Sequence, residues 1–200
     1  DVPILEAGSD VPVRTRQTRG VAHWTDGDDA RIIATRGPML VALNAATGER
    51  YPEFGDEGQV DLRLGLMREF PNYFWNSAPL VINDVIIVGS FVEDYTTNQQ
   101  PATKQSARGD VRGYDVRTGE HIWTFNTIPR EGEFGIETWG IDPDSDRASW
   151  EYSGNTNMWA APSGDPELGY VYLPLSTPTN DYYGGHRPGD NLFAESLVCV

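Results

Sequence analysis

Cysteine and lysine are nearly absent from this chain. Its 200 residues include a single cysteine, Cys199, which excludes an internal disulfide and a cysteine-rich metal site. Of the fifteen basic residues, only Lys104 is a lysine. The sequence therefore predicts that a catalytic lysine, if the intact protein needs one, lies outside these residues.

Long apolar runs, helical periodicity and excess positive charge are also missing. No stretch approaches the roughly eighteen consecutive apolar residues of a membrane-spanning helix. No window of about eleven or more residues has apolar side chains at helical spacing. Thirty acidic residues against fifteen basic ones give a formal charge of −15. This charge repels a phosphate backbone, so nucleic acid is not an expected partner.

The chain does contain many short apolar segments separated by turn residues. Such runs, rich in β-branched residues, predict strands. Asn83-Asp84 between two of them predicts a two-residue hairpin turn, and Asp165–Gly169 predicts a longer turn. The predicted strands are Arg31–Thr35, Met39–Leu43, Leu80–Ile82, Val85–Gly89, Val111–Tyr114, Ile122–Phe125, Met158–Pro162, Tyr170–Leu173 and Ser196–Val200.

A short phrase that occurs twice indicates the architecture. Asn44–Gly48 and Asp115–Gly119 each follow an apolar run, and an aromatic residue follows each, Tyr51 and Trp123 respectively. The Asn or Asp side chain can hydrogen-bond the turn backbone, Gly allows positive φ, and the aromatic residue can pack against a neighbouring sheet. This combination is typical of the four-stranded blades of a β-propeller.

The spacing of the two phrases predicts large loops within a longer array. Gly48 and Gly119 are 71 residues apart, whereas a blade typically has about 40 to 50 residues. We expect the surplus in two polar insertions, Glu93–Arg108 and Pro129–Ser149, which would collect on one face and build the site. A third phrase is expected just past the C-terminal apolar run. Residues 1–200 are therefore expected to form one incomplete propeller domain that continues beyond both ends.

Five local patterns, in order, resemble the quinoprotein alcohol and sugar dehydrogenases. The resemblance covers essentially the whole chain and is greatest to the membrane-associated glucose, quinate and shikimate branch, where a Tyr-Leu-Pro segment precedes a run such as Tyr183-Gly184-Gly185. These enzymes hold pyrroloquinoline quinone (PQQ) and calcium. The resemblance implies an all-β fold that is part of an eight-bladed β-propeller. The patterns are Thr18–Trp24, Asn76–Pro79, Gly89–Glu93, Gly154–Trp159 and Tyr172–Asp181.

The resemblance implies four cofactor-binding residues. Arg19 matches an arginine that binds a carboxylate of PQQ, a task for which a guanidinium fork is suited. Ser90 matches a serine that contacts the cofactor, and Asn76 matches a polar contact that is commonly threonine in relatives. Trp159 matches the tryptophan whose indole forms the floor under the quinone ring. From the residues alone, Arg19 also fits a surface arginine, and Trp159 also fits a wedge between blades, as Trp123 does.

Two residues are implied as calcium ligands, Glu93 and Thr177. Calcium prefers carboxylate and amide oxygens, and Glu93 follows Ser90 at the spacing that the family uses. Glu93 also fits a solvated turn beside another acid. At Thr177 the family usually has an asparagine, and a hydroxyl is a shorter and poorer ligand. Asn180 is the alternative ligand if this loop is rearranged.

The catalytic residues are expected outside the chain. In the family the catalytic aspartate follows the next turn phrase and the lysine that contacts the quinone lies later, so both would fall beyond Val200. Asp181 fits a loop residue rather than the base. The adjacent cysteines that precede the arginine in the alcohol dehydrogenases are absent before Arg19, which favours the sugar branch.

The resemblance therefore implies a PQQ-dependent dehydrogenase, of which this chain would be an inactive fragment. The intact enzyme would oxidise a hydroxyl of a sugar or alcohol, with an aspartate taking the proton while hydride moves to the quinone. Electrons would pass to an acceptor such as ubiquinone or cytochrome c. The implied location is the periplasm, with any inner-membrane anchor lying outside this chain.

Other functions remain as alternatives. A non-enzymatic propeller scaffold of the same repeat family would share the turn phrase without a cofactor pocket, and a carbohydrate-binding propeller would use Tyr182 and Tyr183 as stacking platforms. The three histidines lack metal-ligand spacing. The acidic run Asp142–Asp146 lacks the glycine and closing glutamate of an EF-hand, and no nucleophile elbow follows a strand.

Overall fold

The computed structural model describes residues 19–68, 73–75, 77–92 and 104–200, and nearly all regular structure within them is β-strand. Two single-turn 3-10 helices, Ile136–Thr138 and Ser149–Glu151, are the helical elements of these ranges, and neither could cross a membrane. The eleven strands are β1 (Ala22–Asp26), β2 (Asp29–Arg36), β3 (Met39–Asn44), β4 (Gln59–Asp61), β5 (Leu80–Ile82), β6 (Val85–Val88), β7 (Val111–Asp115), β8 (His121–Phe125), β9 (Ser163–Asp165), β10 (Tyr170–Pro174) and β11 (Leu197–Cys199).

The strands form three antiparallel sheets in sequence order. The first sheet has the order β1-β2-β3-β4, the second β5-β6-β7-β8, and the third β9-β10-β11. Every strand pairs with its neighbour along the chain, in a meander. The all-β prediction is confirmed, and two of the three sheets have the predicted four antiparallel strands.

Both copies of the repeated phrase form the turn that the sequence predicts. The Asn44 side-chain oxygen accepts hydrogen bonds of 2.9 and 3.0 Å from the amides of residues 46 and 47, and Asp115 does the same at 2.9 and 2.7 Å. Gly48 and Gly119 close the turns with φ of 74° and 72°. Each turn leads from the third to the fourth strand of its sheet.

The predicted hairpin turns are also present. Asn83-Asp84 joins β5 to β6, with Asn83 at φ 51°, and Asp165–Gly169 joins β9 to β10. Asp165 accepts hydrogen bonds of 2.9 and 3.1 Å from the amides of residues 167 and 168, so it stabilises its turn as Asn44 and Asp115 stabilise theirs. β11 is the third strand of its sheet, as β3 and β7 are of theirs.

One predicted strand is wrong and two strands lack a clear signal. Met158–Pro162 is irregular, and the strand begins instead at Ser163. The apolar Met158 is fully buried because its side chain belongs to the core cluster, although it pairs in no sheet, and its backbone lies against Gly89. The missed strands β1 and β4 lie at the two edges of the first sheet, where only one neighbour is needed and polar residues are tolerated.

The core lies between the sheets, and the central strands β6 and β7 of the second sheet are buried on both faces. Three consecutive residues of β6, Ile86, Ile87 and Val88, are essentially inaccessible, although successive side chains of a strand point to opposite faces. Such continuous burial requires a packed layer on each side of the second sheet. One core cluster includes Leu40 of the first sheet and Leu173 of the third.

The antiparallel topology places all the long connections at one end of the sheets. We call the other end the turn face; it carries the tight turns at residues 27–28, 44–48, 83–84, 115–119 and 165–169. We call the end with the long connections the loop face; it carries the connections 62–79, 89–110, 126–162 and 175–196, together with one tight turn at 37–38. Of the predicted insertions, Pro129–Ser149 belongs to a loop-face connection, whereas residues 93–103 of Glu93–Arg108 lie outside the described residues. The candidate site is on this face.

Candidate functional site

Segments from three long connections pair side by side on the loop face. We call residues 106–109, 154–157, 175–179 and 194–196 the loop ladder. The Asn155 amide donates to Ala107 at 2.7 Å, and the Gly109 amide returns a 2.8 Å bond to Asn155. On the other side the Thr156 amide donates to Thr177 at 3.1 Å. The loop ladder therefore extends the second and third sheets into one irregular surface.

Two glycines allow these segments to approach closely. A Cβ added to Gly109 would lie 2.3 Å from the Asn157 Cβ, and one added to Gly154 would lie 2.3 Å from the carbonyl oxygens of Ser106 and Ala107. No side chain fits at these distances without backbone movement. Glycine at these positions thus fixes how the segment that carries Trp159 sits beside the second sheet.

Ser90 is placed by the end of β6. The Tyr73 hydroxyl donates a 2.5 Å hydrogen bond to the Gly89 carbonyl, and the Phe91 amide donates to Phe74 at 2.9 Å. Burial raises the pKa of the Tyr73 hydroxyl, so it remains a donor at neutral pH. A Cβ on Gly89 would lie 2.3 Å from the Met158 carbonyl oxygen. The backbone that carries Ser90 is therefore in contact with the backbone that carries Trp159.

The indole of Trp159 is accessible, with 44% of the residue exposed. The backbone carbonyl oxygen of Trp159 accepts a 2.8 Å hydrogen bond from the Ser77 hydroxyl. This bond ties Trp159 to the connection that leads into the second sheet. Gly20 lies against Ala78, the residue after Ser77, because a Cβ added to Gly20 would be 3.1 Å from the Ala78 Cβ. Arg19, which precedes Gly20 in the chain, is exposed.

Ser90 and Thr156 are two of several buried residues on the loop face whose side-chain polar atoms have no hydrogen-bond partner; Ser149 and Ser153 are others. Ser90 and Thr156 are almost fully buried, with exposures of 1% and 0%, and neither hydroxyl oxygen has a hydrogen-bond partner. A buried polar atom without a partner costs about 1–3 kcal/mol, so such atoms in a folded protein call for an explanation. The Ser90 and Thr156 hydroxyls lie in the two segments that meet where Gly89 contacts Met158. A binding site for a polar ligand would leave such hydroxyls without a protein partner until the ligand binds.

The backbone next to these hydroxyls is in a rare conformation. Asn155 and Thr156 both have positive φ, 57° and 52°. Left-handed φ is uncommon outside glycine and unfavourable for a β-branched residue. The loop ladder holds this geometry from both sides, since Thr156 donates to Thr177 and Asn155 pairs with both Ala107 and Pro178.

Two arginine side chains bind backbone carbonyl groups in and around the loop ladder. Arg68 donates to the carbonyl oxygens of Ser106, Tyr152 and Ser153 at 2.6, 2.8 and 2.9 Å and also contacts the Glu151 carbonyl. Arg108 donates to the carbonyls of residues 128 and 150 at 2.7 and 2.8 Å. Burial lowers the pKa of both guanidinium groups, but arginine remains charged at neutral pH.

The predicted metal ligands are only partly within the described ranges. Glu93, like the predicted cofactor contact Asn76, lies outside them. The Thr177 hydroxyl donates a 2.6 Å hydrogen bond to the Glu195 carboxylate, and the Asn180 side-chain oxygen accepts from the Tyr183 amide at 3.0 Å. Within the described ranges no three His, Cys, Asp or Glu side chains are grouped as a metal site.

Several other polar side chains of the loop face do have local partners. Asp181 accepts a 3.4 Å hydrogen bond from Asn155 and lies in a turn, consistent with a loop residue. Lys104 pairs with Asp142 at 2.9 Å, so it joins two loop-face connections. The Asp142 carboxylate also accepts from the Asp144 amide at 3.0 Å. His186 is buried and its Nε2 hydrogen-bonds the Thr179 carbonyl.

Three residues of this surface were not singled out by the sequence. Thr156 lies inside the pattern Gly154–Trp159. Its position between two asparagines was the only feature of the sequence that could have indicated a role. Glu195 and Arg68 carried no signal, because their importance depends on Thr177 and on carbonyl groups remote in sequence. Of the six predicted site residues, Arg19, Ser90, Trp159 and Thr177 lie in segments at the loop-face end of the sheets, whereas Asn76 and Glu93 lie outside the described residues.

Comparison with known proteins identifies the family. Residues 6–200 match the family model described as PQQ: glucose/ethanol/alcohol dehydrogenase, beta-propeller domain. The chain is 32% identical over 197 residues to the glycerol dehydrogenase large subunit of Gluconobacter oxydans, covering 93% of this chain and 24% of that protein. It is 33% identical over 164 residues to the quinate/shikimate dehydrogenase (quinone) of Acinetobacter baylyi, covering 80% of this chain and 18% of that protein. The chain thus spans about a quarter or less of the length of these relatives.

Solved structures show the same architecture. The quinohemoprotein alcohol dehydrogenase ADHIIG of Pseudomonas putida HK5 superposes with a TM-score of 0.68 at 27% identity, covering 92% of this chain and 25% of that one. The quinohemoprotein alcohol dehydrogenase of Comamonas testosteroni gives a TM-score of 0.66 at 23% identity with the same coverages. The sheets are therefore blades of a propeller, and the chain belongs to the family of PQQ-type glucose, ethanol and alcohol dehydrogenase β-propeller domains.

Proposed function

We propose that this chain forms part of the cofactor pocket of a PQQ-dependent dehydrogenase that oxidises a hydroxyl of a sugar or alcohol. The observation that supports the proposal is the pair of buried hydroxyls without partners, Ser90 and Thr156, in the two segments that meet where Gly89 contacts Met158, with the 44% exposed Trp159 next in the chain. PQQ is a planar tricarboxylate, so its site needs hydrogen-bond donors around a flat apolar surface. The loop face supplies both.

Each predicted cofactor residue has a physical role in this proposal. The hydroxyls of Ser90 and Thr156 would donate to oxygens of the cofactor and so gain the partners that they lack. The indole of Trp159 would stack under the ring system, and Arg19 would pair with a carboxylate by its guanidinium fork. Asn76 would add a polar contact. When bound, PQQ supplies the electron-accepting quinone.

Calcium is the proposed metal, with Glu93 and Thr177 as its protein ligands. A hard cation prefers oxygen ligands, and carboxylate and hydroxyl oxygens meet that preference. The formal charge of −15 favours cation binding over anion binding in general. The site therefore combines a cationic group, Arg19, for the cofactor with anionic oxygen for the metal.

The substrate, acceptor and location of the intact protein are proposed from its relatives. One relative is named as a glycerol dehydrogenase and another as a quinoprotein glucose dehydrogenase, so a polyol or sugar is the proposed substrate class. The names of two others specify a quinone and cytochrome c as acceptors. We propose ubiquinone or cytochrome c as the acceptor and the periplasm as the location, with the catalytic aspartate outside these 200 residues.

PQQ titration of the full-length protein tests this function. We expect saturable quenching of tryptophan fluorescence by PQQ in the presence of calcium, and a weaker response after calcium is removed with a chelator. Trp159→Leu should lose most of the quenching, whereas Trp123→Leu, on the outer strand β8, should retain it. Absence of saturable PQQ binding by the wild-type protein would contradict the proposal.

The same experiment discriminates the alternatives. A propeller scaffold has no use for unpartnered buried hydroxyls and would bind neither PQQ nor calcium. A carbohydrate-binding propeller would bind glycans through the exposed Tyr182 and Tyr183 without PQQ. Glycan binding that is lost in a Tyr182→Ala variant, with no response to PQQ, would favour that function.

A further inference from the structure

Glu195 holds the side chain of Thr177 in a single hydrogen-bonded arrangement. The Thr177 hydroxyl oxygen lies 2.6 Å from the Glu195 Oε1 atom. An ionised carboxylate can only accept, so the hydroxyl must donate its proton to Glu195. A separation of 2.6 Å is typical of a charge-assisted hydrogen bond, which is stronger than a neutral one.

The backbone around both residues is fixed by the loop ladder. The Thr177 carbonyl accepts from the Thr156 amide at 3.1 Å, and the Glu195 amide donates to the Ser176 carbonyl at 3.2 Å. Thr177 is thus held between the segment that carries Thr156 and the segment that carries Glu195. The backbone pairing therefore keeps the two residues side by side.

A hydroxyl that donates its only proton to a carboxylate keeps both lone pairs of its oxygen available for other contacts. Those lone pairs are the part of a threonine that can coordinate a cation. A free threonine hydroxyl rotates among several orientations, which makes it a poor ligand. Fixing the proton on Glu195 removes that freedom and increases the electron density on the oxygen.

We infer that Glu195 is a positioning residue for the metal site: it accepts the proton of Thr177 and thereby makes the threonine hydroxyl an effective calcium ligand. The inference rests on the proposed function of this site. It answers the difficulty raised by the sequence, because an amide oxygen needs no such partner and a hydroxyl does. Carboxylates that orient a metal ligand in this way typically change affinity by about 10- to 100-fold.

Calcium titration by calorimetry of the chelator-treated full-length protein, with PQQ at saturation, tests the inference. Glu195→Ala should weaken calcium binding by about tenfold or more. Glu195→Gln keeps an acceptor oxygen and should remain within about threefold of wild type. Asp190→Asn, which removes an exposed charge from the same connection, is the matched control and should bind calcium as wild type does.

Two further variants show whether Glu195 acts through Thr177. In a Thr177→Val background, Glu195→Ala should have no additional effect, because there is no hydroxyl to orient. In a Thr177→Asn background, calcium binding should be restored relative to Thr177→Val. It should not depend on Glu195. Circular dichroism of each variant checks folding, and the Thr177→Asn/Glu195→Gln pair is used if Glu195→Ala does not fold.

The outcomes separate this inference from the function on which it rests. Equal calcium affinity of Glu195→Ala and wild type would overturn the inference while leaving the function standing. Independent, additive losses from Glu195→Ala and Thr177→Val would also overturn it. Absence of PQQ and calcium binding by the wild-type protein would instead overturn the proposed function itself.

Discussion

The guanidinium of Arg31 in the first blade donates a 2.8 Å hydrogen bond to the carbonyl oxygen of Arg117 in the second. The same side chain forms a bidentate pair with Asp29 and lies 3.9 Å above the ring of Tyr51. Tyr51 in turn donates a 2.7 Å hydrogen bond to Asp29. Thus the aromatic residue of the first turn phrase contacts an arginine that hydrogen-bonds the second blade. These contacts link the two blades on the turn face.

Removing this arginine should destabilise the propeller, because Arg31 is only 4% exposed and its partners would lose their hydrogen bonds. We expect Arg31→Ala to lower the free energy of unfolding by about 3 kcal/mol. Arg63→Ala removes an arginine that pairs with Asp61 at the surface, and should cost at most about 1 kcal/mol. Chemical denaturation compares the two variants, and equal losses would show that Arg31 does not join the blades.

The glycines of the two turn phrases provide a matched pair of substitutions. Gly48 and Gly119 have nearly the same φ, so alanine at either position costs about 1–2 kcal/mol of backbone strain. A Cβ at Gly48 would meet nothing within 4 Å, whereas one at Gly119 would lie 2.7 Å from a Val60 methyl group. Gly119→Ala should therefore cost about 1–3 kcal/mol more than Gly48→Ala. Thermal unfolding measures the difference, and identical shifts would contradict the close packing of Gly119 against Val60 of the first blade.

The turns were predictable from the sequence because their determinants are local. Asn44 and Asp115 bond to amides two and three residues away, so residue type and spacing are sufficient to specify them. The same is true of Asp165. Strands were predictable where burial is continuous, as in β6, and not where a polar edge strand needs only one partner, as in β1.

The site was predictable only in part, because its chemistry arises between segments. The family patterns selected Ser90 and Trp159, but no pattern indicates that the hydroxyls of Ser90 and Thr156 lack partners. The apolar Met158 suggested a strand by composition, yet the close approach of Gly89 places it in an irregular segment. Glu195 could not be selected, since its partner Thr177 lies across the connection.

Two buried carboxylates should give opposite pH dependences. Burial raises the pKa of Asp110, although its carboxylate accepts a 3.0 Å hydrogen bond from the Thr127 amide. The Asp144 amide and the Lys104 ammonium hold the pKa of Asp142 well below its usual range. The ordinary value for both in an unfolded chain is about 3.9.

For Asp110 the folded protein holds the proton more tightly than the unfolded chain does. Its contribution to stability is therefore present below about pH 3.9 and is lost as the pH rises through the folded pKa. For Asp142 the contribution is present above about pH 3.9 and is lost as the pH falls below it. Relative to Asp110→Asn, wild type should gain stability on acidification from pH 7 to 4. Relative to Asp142→Asn, it should lose stability below pH 4. Denaturation over this range measures both differences, and parallel trends would contradict the assignment.

The unpartnered hydroxyls predict variants that are more stable but bind less cofactor. Ser90→Ala and Thr156→Val remove buried oxygens that cost about 1–3 kcal/mol each, so the protein without cofactor should become more stable. The same changes remove donors to the cofactor and should weaken PQQ binding by about tenfold or more, since a hydrogen bond to a charged group contributes about 1.5–3 kcal/mol. Ser149→Ala removes another buried, unpartnered hydroxyl from a 3-10 helix outside the loop ladder, and should raise stability without changing PQQ affinity. If all three variants bound PQQ as tightly as wild type, these hydroxyls would be unsatisfied for a reason other than the cofactor.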